Sequence, residues 1–113
     1  MPATPADIAG RYFACIRARD LDGLLALYAE DAEFTLPTGR SFAGKAAIRE
    51  MHAGVFAAGA PVPTPLAMVE GDGAVAVEIE ARLPDGTARR TANFYRLNAQ
   101  GLIASLGVYM RGG

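Results

Sequence analysis

The sequence predicts an α+β fold in which a curved antiparallel sheet packs against three helices drawn from the N-terminal half. Two observations carry this. Apolar residues recur at helical spacing only up to about residue 59, and beyond about residue 66 they alternate with polar ones, as in half-buried strands. The strand-like runs are also separated by tight-turn signals, Gly71-Asp72-Gly73, Pro84-Asp85-Gly86 and Asn98-Ala99-Gln100-Gly101, and such short connections imply antiparallel neighbours. At 113 residues the chain is long enough for one core, so residues 1–113 read as one domain.

Ile8, Tyr12, Cys15, Ile16 and Arg19 share a helical stripe widened by Phe13, predicting a first helix over about residues 5–18, started by Thr4 or Pro5. Asp20 is a suitable N-cap for a second helix, in which Leu21, Leu24, Leu25 and Tyr28 share a face and Glu30-Asp31 ends the run. Ala32, Phe34 and Leu36 alternate with Glu33 and Thr35, a strand stopped by Pro37. A loop follows from Pro37 to Gly44. A third helix begins near Lys45, with Ile48, Met51, His52, Val55 and Phe56 inward and Gly59 closing it.

Pro61, Pro63 and Pro65 cannot donate backbone hydrogen bonds, so this stretch reads as a connector rather than a central strand. Leu66 to Glu70 leads into the first tight turn. Val75, Val77, Ile79, Ala81 and Leu83 then alternate with Ala76, Glu78, Glu80 and Arg82. Thr87 to Leu97 and Leu102 to Met110 complete the meander, and the whole order leaves a blind pocket between helices and sheet.

Composition removes several function classes. A hydrophobic content of 51% with 20% charged residues suits a soluble folded domain, and a net charge of -1 gives no general attraction to nucleic acid or an anionic membrane. Arg89-Arg90 reads as strand-rim charge. One cysteine, Cys15, forms no internal disulfide and suits a reducing cytoplasm. The start of the chain shows no signal peptide, and no stretch is long and apolar enough to span a bilayer.

One histidine and one cysteine cannot furnish an ordinary zinc site, and Gly71-Asp72-Gly73 lacks the further glycine and helix of a phosphate loop. Neither Ser41 nor Ser105 stands in a Gly-x-Ser-x-Gly elbow. Cys15 on an apolar helix face reads as packing rather than as a nucleophile served by His52. Glu78, Glu80 and Arg82 are expected to meet Arg90 and Arg96 on the solvent or subunit-facing side of the sheet.

The remaining polar constellation is Tyr12, His52, Asn93 and Tyr95. Thr91, Asn93, Tyr95 and Leu97 share one face of their strand, so a core-facing Tyr95 carries an amide inside with it. A buried amide without partners costs about 1–3 kcal/mol. A phenol and an imidazole on facing helices would supply those partners. The residues fit equally a satisfied polar cluster that fixes register and a set of donors aimed at a ligand carbonyl.

Arg11-Tyr12, Asp20-Leu21-Asp22-Gly23, Ala26-Leu27-Tyr28-Ala29-Glu30-Asp31-Ala32 and Ala46-Ala47-Ile48-Arg49-Glu50 resemble the SnoaL-like and steroid delta-isomerase branch of the nuclear transport factor 2-like superfamily. The similarity runs most closely from Arg11 to Ala53 and more loosely through Asn93-Phe94-Tyr95-Arg96-Leu97-Asn98. It implies a cone-shaped, cystatin-like fold, which hosts isomerases, cyclases, epoxide hydrolases, dehydratases and binding modules. In the isomerase an aspartate base moves a proton while a tyrosine and a protonated aspartic acid hold the dienolate oxygen. The resemblance places the oxyanion tyrosine on Tyr12, the protonated carboxyl on Asn93 and the base on Leu36, which cannot accept a proton. Glu33 points away by strand parity, leaving His52 as an inward acid/base or as the group orienting Tyr12.

The expectation is therefore an apolar pocket lined by Phe34, Leu36, Met51, His52, Asn93, Tyr95, Leu106 and Met110, with Tyr12 at its base. Its expected function is to bind, and transform by enolisation, a small hydrophobic carbonyl compound of steroid or polyketide type, without a cofactor. The alternative, which Leu36 favours, is a non-catalytic ligand-binding or dimerisation module. The resemblance also implies a homodimer through the exposed sheet face.

Overall fold

The computed structural model describes residues 4–59 and 62–110. Helix α1 (Pro5–Ala18) starts at Thr4, whose hydroxyl accepts from the Asp7 backbone N–H while the Asp7 carboxylate accepts from the Thr4 N–H, both at 3.1 Å. Proline at the first helical position supplies a fixed φ and loses no helical hydrogen bond there. The helix buries Ile8, Ala9, Tyr12 and Phe13.

Helix α2 (Leu21–Leu25) is shorter than its apolar spacing suggests. Asp20 caps it through the Gly23 backbone N–H at 3.0 Å, and a side chain at Gly23 would collide with that carboxylate. After Leu25 the chain turns into strand β1 (Tyr28–Thr35), so Tyr28 enters the sheet rather than extending the helix. Two more corrections concern strands. The expected loop after Pro37 contains a short strand β2 (Ser41–Ala43), and helix α3 (Lys45–Ala57) follows. The proline-rich segment is not a connector but the start of strand β3 (Val62–Gly71), with Pro61 outside the described residues. Pro63 and Pro65 are tolerated because β3 lies at the sheet edge, where a missing donor leaves no neighbour unpaired.

Strands β4 (Ala74–Arg82), β5 (Ala88–Leu97) and β6 (Ile103–Met110) complete a six-stranded sheet of order β2-β1-β6-β5-β4-β3. The meander is antiparallel throughout, as its short turns require. The sheet as a whole is mixed, because β1 joins β6 in parallel. Helix α1 packs on β3, β4 and β5, and α3 packs on β1 and β2. The core between them includes Leu24, Ile48, Val75, Val77, Tyr95, Ile103 and Leu106. Val75, Val77 and Ile79 are buried while the intervening Ala76, Glu78 and Glu80 are more exposed, the two-faced pattern of a sheet covered on one side. On the uncovered side Arg90 lies 3.8 Å from Glu78, the cross-strand pairing anticipated there.

Candidate functional site

The helices and sheet leave a cavity of about 230 Å³ between them. Its deep end is formed by Tyr12 from α1, Phe34 from β1, His52 from α3 and Asn93 from β5, all of them buried. Ile16, Leu36, Met51, Val55, Phe56 and Pro63 surround the mouth, with Ile79, Thr91 and Val108 along the sheet wall. Register explains the convergence. Asn93 stands between Val77 and Val108, and Thr91 stands opposite Ile79, so consecutive inward rows present a polar residue framed by aliphatic ones.

Tyr12, Phe34, Leu36, Met51, His52 and Asn93 thus meet at the cavity as the sequence suggests. Tyr95, Leu106 and Met110 do not line it. Tyr95 and Leu106 pair with each other one row deeper and are sealed in the core at 0% and 1% exposure. Met110 pairs with Thr91 at the end of β6 and stays 47% exposed. Glu33 is exposed and lines a depression with Arg96 and Ser105, its cross-strand partner, away from this cavity. Cys15 does not line the cavity, and burial followed by the Asp20 charge pushes its thiol pKa up, which disfavours a nucleophilic thiolate.

The histidine was expected to meet Tyr12, but its partner is Tyr28. The Tyr28 hydroxyl lies 3.1 Å from His52 Nε2, whereas the Tyr12 and His52 rings meet edge-on with centroids 6.2 Å apart. The early start of β1 brings Tyr28 into the sheet beside α3. The Tyr28 hydroxyl also interacts with that of Tyr12, so polar groups link His52 through Tyr28 to Tyr12. Tyr28 is the residue missed by the sequence reading. Its period-two relation to Ala32 and Phe34 is masked by exposed Glu30 and by a register irregularity between Tyr28 and Glu33.

A second polar pair closes the other side. Asn93 Nδ2 donates to the Tyr95 hydroxyl at 3.0 Å, which accounts for one of the amide's two N–H groups. The Tyr95 ring packs edge-on against Tyr12 at 5.3 Å and Phe13 at 6.3 Å. Burial raises all three phenol pKa values, most directly by penalising the phenolate. Desolvation lowers the His52 pKa from 6.5 to about 4, so its ring is neutral at neutral pH. Tyr12, His52 and Asn93, with Thr91 further out, therefore give the cavity uncharged hydrogen-bonding groups in a largely apolar wall.

The direction of the His52–Tyr28–Tyr12 chain depends on the imidazole tautomer. With the proton on Nε2, His52 donates to Tyr28, Tyr28 donates towards Tyr12, and the Tyr12 O–H is left for a guest oxygen. No described group of three or more histidine, cysteine or carboxylate side chains could hold a metal ion. Among the described residues, no helix is long and apolar enough to cross a membrane.

A sequence model of the SnoaL-like domain matches residues 9–106. Several solved structures share the fold. A protein with a cystatin-like fold from Methylobium petroleophilum PM1 is 18% identical, with a TM-score of 0.85 over 100% of this chain and 81% of that one. The epoxide hydrolase/cyclase-like enzyme SalBIII, described in pyran ring formation in the polyether salinomycin, is 22% identical, with a TM-score of 0.83 over 94% and 89%. A protein of ketosteroid isomerase-like fold from Catenulispora acidiphila DSM 44928, in complex with trimethylamine, is 20% identical, with a TM-score of 0.79 over 95% and 86%. At these identities the likeness establishes the fold alone.

Proposed function

The chain belongs to the SnoaL-like domain family, and from that premise we propose that it binds a small hydrophobic carbonyl compound. The observation that carries this reading is the apolar cavity whose deep end gathers Tyr12, His52 and Asn93 in uncharged form. A charged guest would lose its hydration there without meeting a counter-charge. A ketone oxygen instead accepts hydrogen bonds from the Tyr12 hydroxyl and the remaining Asn93 N–H, and becomes polarised by them. A cavity of about 150 Å³ holds one benzene, so one of about 230 Å³ suits roughly one or two rings. A four-ring steroid would project through the mouth.

Polarising a ketone assists enolisation, and this is the reaction we infer if the guest is transformed. The obstacle is the base. Leu36 carries no proton acceptor, and a desolvated His52 with a pKa of about 4 is a weak base already engaged by Tyr28. Leu36 specifically favours the second reading, in which the same cavity binds its guest without turnover.

The test is a fluorescence titration with 2-naphthol, a two-ring phenol that mimics an enol. The chain contains no tryptophan, so the guest's emission is read without that background. Saturable binding that weakens about tenfold in Tyr12→Phe would match the loss of one hydrogen bond worth about 1.4 kcal/mol. Binding that is undetectable at millimolar concentrations, or unchanged in Tyr12→Phe, overturns the assignment.

A further inference from the structure

The inward line of β5 is graded from core to solvent. Tyr95 is sealed, Asn93 is buried, Thr91 is half-buried and Arg89 is exposed, each two residues from the last on the same face. Thr91 and Asn93 line the cavity, and Arg89 pairs directly with Ala81, itself a lining residue. Arg89 is therefore the next step outward along the cavity wall. From Asn93 to Arg89 the strand advances about 13 Å, at about 3.3 Å per residue.

Two more arginines border the same mouth. Arg17 donates from Nε and Nη2 to the carbonyl of Pro63, a lining residue, at 3.2 and 3.0 Å. A neutral carbonyl leaves the guanidinium charge intact. Arg19 stands 5.6 Å above the ring of Phe56, another lining residue. The carboxylates nearest these arginines in sequence also hold turns while keeping their charge: Asp20 accepts from the Gly23 N–H at 3.0 Å, and Asp85 from the Thr87 N–H at 2.8 Å. Asp85 also feels Arg89 and is the group an incoming anion must compete with. An uncharged interior thus opens towards a rim that carries Arg17 and Arg89.

Resting on the reading that the cavity binds a carbonyl compound, we propose that its guest is amphipathic, with a neutral oxygen at the deep end and a carboxylate that emerges beside Arg89. The aliphatic and aromatic walls hold the ring system between these ends. Arg89 then acts as a specificity-determining residue, and Arg17 adds to the field. Two separated polar points also fix which end of the guest enters first, something an apolar wall by itself does poorly.

The experiment compares 2-acetylnaphthalene with 6-acetyl-2-naphthoate, which adds a carboxylate at the far end of the same ring system. The readout is the ratio of their dissociation constants on native protein and on Arg89→Gln. An exposed ion pair is worth up to about fivefold, so the acid is expected to bind native protein about fivefold tighter at low ionic strength. The ratio should fall to about one in Arg89→Gln. On native protein it should also fall as salt rises to about 0.5 M, a measurement independent of any variant. Ketone binding with no preference for the acid overturns the proposal and leaves the carbonyl site standing. A preference that survives Arg89→Gln overturns the role of Arg89. If neither compound binds, the carbonyl-site reading fails and this inference with it.

Discussion

Lowering the pH should destabilise this fold through His52 in a way that can be isolated. The ring is 4% exposed, and burial lowers its pKa from 6.5 to about 4. A histidine whose folded pKa is depressed leaves the unfolded chain binding more protons between the two values. Stability is therefore fully present above about pH 6.5 and is lost as pH falls towards 4. The slope approaches about 1.4 kcal/mol per pH unit, giving a loss of about 2 kcal/mol between pH 7 and 5 and about 3 kcal/mol once both states are protonated. Denaturant unfolding of native protein and His52→Gln across pH 5 to 7 separates this contribution, because the carboxylates titrate in both proteins. The chain contains a single histidine, so an NMR titration reports this ring unambiguously. Parallel stability curves for the two proteins, or a folded-state pKa near 6.5, would refute the argument.

Two other substitutions probe the same wall. Tyr28→Phe removes the hydroxyl 3.1 Å from His52 Nε2 and leaves that nitrogen without its partner, so unfolding measurements should show a loss of about 1–3 kcal/mol. Leu36→Asp places a carboxylate at the cavity wall, where partial burial raises its pKa and makes it a better base. Deuterium exchange at the α-carbon of bound 2-acetylnaphthalene should then accelerate about 10²–10⁴-fold over native protein. Equal exchange rates in the two proteins would show that the missing base is not what limits enolisation.

Periodicity made most of the fold legible. Helix α1 was readable because its capping signal and its stripe of Ile8, Tyr12 and Ile16 agree. The β4 to β6 meander was readable because strict alternation is bounded by tight turns. The errors came where a local signal conflicted with tertiary context. The Leu21–Tyr28 stripe continues at helical spacing, yet Ile103 N–H bonds to Leu27 C=O at 2.8 Å and draws the following residues into the sheet. The prolines argued against a strand, yet an edge position makes no use of the missing donors.

The candidate site divides in the same way. The sequence alone determined that Tyr12, His52 and Asn93 face inward, because each lies in phase with an apolar run whose burial the hydrophobic effect enforces. It also determined that Leu36 carries no base. Only the tertiary structure decided that His52 meets Tyr28 and that Tyr95 and Leu106 lie behind the cavity. These depend on strand register and on the parallel pairing of β1 with β6, contacts between residues far apart in the chain. A periodic pattern specifies which face of an element is buried, but not which residue of another element it will meet there.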